Sequence, residues 1–201
     1  KSLTDYNMEG TGLPRDAHFL AYGIRHEVDF PPWPGISLAG IEQLKTKGFD
    51  FKSRNAGRFL LRIMATRSIK DEVALAVMAM GAPQDVIEPP HYQGEESMSL
   101  LEAALSAGRV QIASQLIVDG ALKTNGQTDQ ARVDRALRAA VRSGEVSAID
   151  LILPYHPATT YPDSEDQTVQ ISVLFELGNW DGFNDAPTAA LQRLLDLGVD
   201  I

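Results

Sequence analysis

Histidines and their neighbouring carboxylates are the residues of this chain that could act as metal ligands or acid–base catalysts. The four histidines are His18, His26, His91 and His156. No two of them have the His-x-x-x-His spacing that places two imidazoles on one helix face for zinc binding. His18 follows Asp16 closely. His26 lies beside Glu27 and near Asp29. A single histidine beside scattered carboxylates is common by chance, so we predict no metal site, no cofactor and no catalytic pair.

Two glycine-containing segments come close to catalytic or nucleotide-binding motifs without completing them. Gly35-Ile-Ser37-Leu-Ala-Gly40 has the wrong spacing for a Gly-x-Ser-x-Gly nucleophile elbow. We therefore predict that Gly35 ends a loop and that Ser37 caps a helix. Gly10-Thr-Gly12 lacks the third glycine of a dinucleotide-binding loop, and no Gly-Lys-Ser/Thr sequence forms a P-loop. Since the chain has no cysteine, disulfides, thiolate zinc sites and cysteine nucleophiles are excluded.

Length and composition describe a protein with enough apolar residues for a continuous core. The 201 residues include 44% apolar side chains, and no Ser/Gly linker divides them. The longest uncharged apolar stretch, residues 73–82, is far shorter than the roughly 20 residues that a membrane-spanning helix needs. The chain begins at Lys1, so we expect any signal or lipid anchor to precede the given sequence. A cysteine-free chain suits the periplasm, with such an anchor, or the cytoplasm, and both locations stay open.

A sequence phrase that repeats after 36 residues predicts how the chain is organised. Residues 101–121 read LEAALSAGRVQIASQLIVDGA, and residues 137–157 read LRAAVRSGEVSAIDLILPYHP. Each copy contains a short Ala-rich helix, a glycine that ends it, a second apolar helix, and a second stop 12 residues after the glycine. A period in this range is typical of stacked helical units, which usually bind other proteins.

The spacing of apolar residues supports these helices and identifies a core. Between Val110 and Ile117, apolar side chains recur three and four residues apart, as they do on one face of a helix. Gly81 and Gly120 directly follow such runs, where a left-handed residue ends a helix, and His156 takes this place in the second copy. We predict that the repeated apolar positions are buried: Leu101, Ala104, Ile112, Leu116, Leu137, Ala140, Ile149 and Leu151.

The repeated phrase resembles the ankyrin repeat, whose pattern reads Thr-Pro-Leu-His-x-Ala-Ala-x-x-Gly-His and, further on, Leu-Leu-x-x-Gly-Ala. The matching positions are Leu101, Ala104, Gly108, Gly120 and Ala121 in the first copy, and Leu137, Ala140, Gly144, Leu151 and Ile152 in the second. Weaker matches surround residues 44–50, 77–82 and 194–200, so helix ends recur at positions 48, 81, 120, 156 and 198. The resemblance implies an all-α, ankyrin-like solenoid of stacked antiparallel helix pairs.

Five divergent repeats would cover nearly the whole chain as one domain, in units of approximately residues 10–50, 51–84, 97–122, 131–157 and 167–201. We expect ten helices with little or no strand, paired near residues 14–47, 56–80, 97–119, 131–155 and 168–197. Neither copy has the Thr-Pro-Leu-His sequence whose side chains brace the turn in the ankyrin family. Together with long segments at 83–97 and 157–166, this departure predicts irregular connecting loops. A stack of helical hairpins from another family remains the alternative.

Charge is unevenly distributed along a chain whose net charge is −9. Residues 45–70 carry eight Lys or Arg against one acid, and residues 143–201 carry ten acids against Arg193 alone. An acidic surface repels nucleic-acid phosphate and attracts basic protein surfaces. The basic stretch lacks the interleaved aromatic residues of a nucleic-acid site and is typical of a solvated helix face. We therefore expect a protein partner with a basic surface, and no nucleic acid.

A candidate binding face also follows from the resemblance, because inter-repeat loops and first helices line one concave face in the ankyrin family. Here that face would collect these partner-binding residues: Phe51, Arg54, Arg58, His91, Tyr92, Glu102, Arg138, Arg142, Tyr161 and Asp163. Arg and aromatic side chains dominate the binding energy of many interfaces. Alternatively, Tyr92 and Tyr161 hold their long loops to the stack. A second candidate edge, which alternatively covers the ends of the core, consists of Trp33, Trp180 and Phe183.

Three functions are compatible with these features. The first is a non-enzymatic, monomeric protein-binding module that binds and inhibits one specific partner. Among small ankyrin-like chains, a bacterial immunity protein that neutralises a secreted toxin is one such setting. The second is a scaffold or adaptor fragment of a longer ankyrin-repeat protein. The third is an enzyme without a recognisable motif, which is the least favoured because no catalytic constellation is found.

Overall fold

The computed structural model describes residues 36–46, 49–88, 97–163, 166–179 and 187–199. Over these residues the chain is mostly helical, which confirms the predicted helical class. The chain divides into two compact units, Lys1–Val86 and Ile87–Ile201. The helix predicted to begin near residue 14 lies outside the described residues. One continuous repeat domain therefore stays a prediction.

The described part of the first unit contains three helices around one apolar core: α1 (Leu38–Thr46), α2 (Arg54–Ala65) and α3 (Asp71–Ala79). At the start of α1, the Ser37 hydroxyl accepts a hydrogen bond from the Gly40 N–H at 3.2 Å, which confirms the predicted cap. Both α1 and α2 pack on α3. Gly81 follows α3 in the left-handed conformation predicted for it, with φ +89°. The core consists mainly of Ile41, Leu44, Leu60, Ile63, Met64, Val73 and Val77.

The second unit alternates helix pairs with two-stranded antiparallel hairpins. Its helices are α4 (Leu100–Ser106), α5 (Val110–Val118), α6 (Gln130–Ser143), α7 (Val146–Ile152) and α8 (Pro187–Asp196). A 3₁₀ turn at Leu153–Tyr155 extends α7, and a 3₁₀ helix at Val173–Asn179 precedes α8. The paired strands are β1 (Ile87–Glu88) with β2 (Met98–Ser99), β3 (Lys123–Thr124) with β4 (Gln127–Thr128), and β5 (Thr160–Pro162) with β6 (Gln170–Ser172).

Local chemistry sets the helix ends of this unit. Helix α4 begins with a capping box, in which Ser99 Oγ accepts from the Glu102 N–H at 3.3 Å. In return, the Ser99 N–H donates to Glu102 Oε2 at 3.0 Å. Gly120 follows α5 with φ +97°, and His156 has φ +55° in place of a glycine after the 3₁₀ turn. Both left-handed residues lie where the sequence predicted a helix end.

Equivalent helices of successive pairs pack side by side. The first helices form one row, with α4 against α6 and α6 against the 3₁₀ helix. The second helices form another row, with α5 against α7 and α7 against α8. The first row includes fully buried alanines, which let the helices approach closely: Ala103, Ala104, Ala136 and Ala140.

The predicted core is correct except at one position. The buried members are Leu101, Ala104, Ile112, Leu116, Leu137, Ala140 and Ile149. Leu151 was predicted wrongly, because it is only half-buried and its neighbour Ile152 has no exposed surface. Each step along an α-helix rotates the side chain by about 100° around the axis. Leu151, two positions after Ile149, therefore points about 200° away from it, whereas Ile152, three positions after Ile149, returns to the same face.

The connections between helix pairs are more regular than the sequence predicted. The prediction of irregular loops is wrong for residues 123–128, where β3 and β4 enclose the two-residue turn Asn125-Gly126. Both turn residues have positive φ, +54° for Asn125 and +80° for Gly126, which is the signature of a type I′ turn. Backbone pairing thus braces this connection without the Thr and His of the ankyrin pattern.

Candidate functional site

Helix α6 carries three arginines on one face, and this face organises the candidate site. Arg135, Arg138 and Arg142 follow one another at spacings of three and four residues, so their side chains leave the helix in similar directions. Asp129 caps the start of the helix, and its carboxylate accepts a hydrogen bond from the Arg132 N–H at 3.3 Å. Gly144, which has φ +74°, caps the other end.

The first arginine joins α6 to the preceding helix pair. Arg135 Nε lies 3.0 Å from Glu102 Oε1. The other oxygen of Glu102 accepts the Ser99 N–H in the capping box, so one largely buried carboxylate serves two elements. A charge-assisted hydrogen bond of this kind fixes α4 and α6 relative to each other.

The third arginine joins α6 to the 3₁₀ helix that follows it. Arg142 Nε and Nη2 lie 3.0 and 2.8 Å from the same oxygen, Glu176 Oε2. The Glu176 side chain is 5% exposed, whereas that of Arg142 is 40% exposed. The buried carboxylate therefore receives its compensating charge from an arginine whose outer edge still contacts solvent.

The central arginine contacts the β5–β6 hairpin. The guanidinium carbon of Arg138 lies 4.6 Å from the centre of the Tyr161 ring, within cation–π distance. Tyr161 pairs with Ile171 in the hairpin, so this contact holds the hairpin against α6. We call Arg138, Arg142, Tyr161 and Glu176 the arginine clamp, because together they connect α6, the hairpin and the 3₁₀ helix.

The environment of the clamp favours the neutral form of Tyr161. Burial, the charge of Glu176 and a hydrogen bond with Glu176 raise the pKa of the Tyr161 hydroxyl to about 12, against the opposing charges of Arg138 and Arg142. The hydroxyl therefore stays protonated at neutral pH. A general base needs a pKa near the working pH. The raised pKa of Tyr161 instead fits a hydroxyl that serves as a structural hydrogen-bonding group.

Two features are absent from the described residues: a metal-ligand cluster and a membrane-spanning helix. Among these residues, no three His, Asp or Glu side chains come together as metal ligands. No described helix is long and apolar enough to cross a membrane. The clamp itself is an array of charged and aromatic side chains held in place by one another.

The structure brings together three of the ten residues predicted for the binding face: Arg138, Arg142 and Tyr161. Glu102 lies largely buried beneath this surface, paired with Arg135. Asp163 is half-buried in the loop of the same hairpin, where its N–H donates to Val169 O at 2.9 Å.

The remaining predicted residues lie elsewhere in the chain. Phe51 is 4% exposed, so its prediction as an exposed anchor is wrong, because the ring belongs to the core of the first unit. Arg54 is exposed and Arg58 is half-buried on α2 of that unit. The other candidates lie outside the described residues: His91, Tyr92, Trp33, Trp180 and Phe183.

Sequence reasoning missed Glu176 and Arg135, which complete the ion pairs. A signal for both was present in the repeat period. Arg135 follows Glu102 by 33 residues, and Glu176 follows Arg142 by 34. Opposite charges one repeat apart lie on adjacent first helices, so a search for such pairs finds both contacts.

Comparisons with known proteins add no assignment to this geometry. No protein-family model matches the chain, and neither does any curated protein.

Proposed function

We propose that this chain is a non-enzymatic protein-binding module, whose partner contacts the surface formed by α6, the β5–β6 hairpin and the 3₁₀ helix. The observation that carries the proposal is the arginine clamp. It gathers Arg and Tyr side chains from distant parts of the sequence and leaves the edge of Arg142 in solvent. Arg and Tyr are the residue types most enriched at energetic centres of interfaces.

Preorganisation is the physical reason why this surface suits binding. Immobilising a long side chain on association costs roughly 0.5–1.5 kcal/mol. Ion pairing already holds Arg142, and stacking on Tyr161 already holds Arg138. A partner that contacts these side chains therefore loses little of its binding energy to ordering them.

We also propose that the helix pairs belong to an ankyrin-like solenoid. In support, hairpins and helix pairs alternate in the second unit, and first helices pack on first helices. Left-handed residues recur at positions 81, 120, 156 and 198, close to the period of the sequence repeat. Such stacks present rigid surfaces whose loops vary without disturbing the core.

The partner that we propose is a protein with a basic surface, and binding inhibits it. The excess of acidic residues in the C-terminal part of the chain supports this choice, because opposite charges accelerate encounter and exclude wrong partners. An immunity protein that neutralises a toxin is one setting of this kind. That setting rests on the resemblance to small ankyrin-like chains.

Affinity capture with two matched arginine variants tests the proposal. Arg142 and Arg193 both form ion pairs and have similarly exposed side chains, 40% and 38%, but Arg193 pairs with Asp150 on the second-helix row. Wild-type protein, Arg142→Ala and Arg193→Ala would each be used as bait in extracts of the source organism. Captured proteins would be quantified by mass spectrometry, and the activity of any captured enzyme measured with and without the bait.

We expect one protein to be retained by wild type and Arg193→Ala and lost with Arg142→Ala. Folding of each variant is checked by thermal unfolding, and Arg142→Lys keeps the charge as a further control. Equal capture by all three baits contradicts the proposed surface. If a captured enzyme is fully active in the complex, the protein binds its partner without inhibiting it.

A further inference from the structure

Phe175 is the most exposed aromatic residue among those that the structure describes. Its side chain is 61% exposed, although Val173 and Glu176 on the same 3₁₀ helix are buried. Val173 has no exposed surface, and Glu176 is held by Arg142. The helix is thus fixed on one side and presents a phenyl ring on the other.

A single exposed apolar residue is normal in a folded protein, so Phe175 indicates a binding site only if its surroundings also suit binding. A second apolar side chain, Val169, is 47% exposed in the loop of the adjoining hairpin. The Val169 carbonyl accepts the Asp163 N–H, and its own N–H donates to the Asp166 carbonyl, both at 2.9 Å. Backbone hydrogen bonds therefore join Val169 to two acidic residues of the loop.

The sequence on either side of Phe175 carries acidic residues and no basic ones. Between Tyr161 and Pro187 the sequence contains no Lys, Arg or His and six acids: Asp163, Glu165, Asp166, Glu176, Asp181 and Asp185. Among the described ones, only Glu176 is buried in an ion pair. The Asp166 carboxylate accepts hydrogen bonds from the Thr168 hydroxyl at 2.6 Å and the Thr168 N–H at 2.9 Å. These bonds lower the pKa of Asp166, so it remains charged.

We infer that Phe175, Val169, Asp163 and Asp166 form a docking surface for a lysine- or arginine-rich protein surface, with a partner cation resting on the Phe175 ring. This inference rests on the proposed function and adds the partner's chemistry to it. A cation over an aromatic face is stabilised by the ring quadrupole, and carboxylates nearby strengthen the attraction. A partner of standard interface size covers a hairpin and the helix that follows it.

Charge also argues against a second copy of this chain as the occupant. Two identical surfaces that meet around a symmetry axis would bring Asp163 and Asp166 of both copies close together. Like charges juxtaposed at an interface weaken association. The net charge of −9 adds a general repulsion between copies.

Synthetic peptides of controlled charge test the inference without knowledge of the natural partner. Three peptides of equal length share the same leucine residues and carry arginines, glutamates or serines at the remaining positions. Each is titrated into isotope-labelled protein, and amide chemical shifts give both the affinity and the residues affected. The variants are Phe175→Ala and a matched control, Val118→Ala, which removes a 75% exposed apolar side chain from the end of α5.

We expect the arginine peptide to bind most tightly, to shift amides of residues 163–179, and to bind more weakly as salt rises. Phe175→Ala should weaken its binding by at least about tenfold, and Val118→Ala should leave it unchanged. Exposed positions of this kind carry little stability, so thermal unfolding should match wild type for both variants.

Several results would overturn the inference. They are no binding of the arginine peptide, equal binding of the glutamate peptide, or insensitivity to Phe175→Ala. A doubled mass of the free protein in sedimentation that Phe175→Ala abolishes would assign the surface to a second copy. If the captured partner needs Arg142 but not Phe175, only this inference fails. If capture depends on neither residue, the proposed function fails with it.

Discussion

Two hairpins occupy equivalent places in the second unit, yet different forces hold them. The β3–β4 hairpin closes around Asn125-Gly126, and its side-chain hydrogen bonds are local, such as Thr124 Oγ1 to Asp129 Oδ2 at 2.7 Å. The β5–β6 hairpin spans a longer loop, and the arginine clamp attaches it to α6 through Tyr161. The first is determined by turn chemistry and the second by contacts between distant residues.

The same difference explains which features could be predicted from the sequence: local turns and helix ends could be, and contacts between distant residues could not. Helix ends at Gly81, Gly120 and His156 were predictable, because a left-handed residue at a helix end is a local requirement. The Asn-Gly turn was equally legible as a hairpin signal, although we predicted an irregular loop there. The ankyrin pattern alone does not contain this local turn signal.

The candidate site was only partly predictable. Arg138, Arg142 and Tyr161 were chosen as exposed binding residues, and the structure adds that they hold the hairpin in place, the alternative considered for Tyr161. The partner residue Glu176 was missed, because pairing across repeats depends on the register of two helices. The exposure of Phe175 was also missed, since apolar residues in an amphipathic pattern are usually assigned to the core.

The largest expected effect on stability comes from a core substitution that destabilises both hairpins together. Leu137→Ala removes a side chain with no exposed surface at the centre of α6 and should reduce the free energy of unfolding by roughly 2–5 kcal/mol. Hydrogen exchange should accelerate equally in residues 123–128 and 160–172, because both depend on the same core. A loss below about half a kcal/mol would mean that this helix face is assigned wrongly.

A smaller and more selective effect is expected from breaking the arginine clamp. Arg142→Ala leaves the Glu176 carboxylate buried without its partner, which should cost about 1–3 kcal/mol after allowance for the solvent-exposed edge of the arginine. Exchange should accelerate in residues 160–179 and not in residues 123–128.

Two comparisons check this assignment. The second substitution in Arg142→Ala/Glu176→Gln should restore part of the loss, because it removes the buried charge. Arg193→Ala, which breaks an exposed pair, should cost less than about 1 kcal/mol. Equal acceleration of both hairpins in Arg142→Ala would show that the clamp is not specific to β5–β6.

The converse selectivity is expected from the other hairpin. Gly126 has φ +80°, a conformation that costs roughly 1–2 kcal/mol for a residue with a Cβ atom. Gly126→Ala should therefore open β3–β4 and leave β5–β6 as stable as in wild type, as measured by amide exchange. The expected cost comes from the backbone conformation and not from a steric clash, since nothing lies within 4 Å of the added Cβ atom.

The smallest expected effect is the contribution of Tyr161 ionisation to stability, which changes only at high pH. Because the pKa of Tyr161 is about 12 in the folded protein and 10.0 in its unperturbed form, the folded state keeps a proton that the unfolded chain loses. The associated stability is present below pH 10 and is lost as the pH rises to 12. The stability difference between wild type and Tyr161→Phe should be constant at lower pH and decline over this interval. A constant difference throughout would place the hydroxyl in solvent.

The comparison of the two hairpins also supplies the most direct test of the proposed binding surface. Once a partner has been captured, hydrogen exchange of the free protein and of the complex can be compared residue by residue. We expect slower exchange in residues 160–179, which include the β5–β6 hairpin and Phe175, and unchanged exchange at the tip of β3–β4. Protection of residues 123–128 with none in residues 160–179 would contradict the account, because the clamped surface would then lie outside the interface.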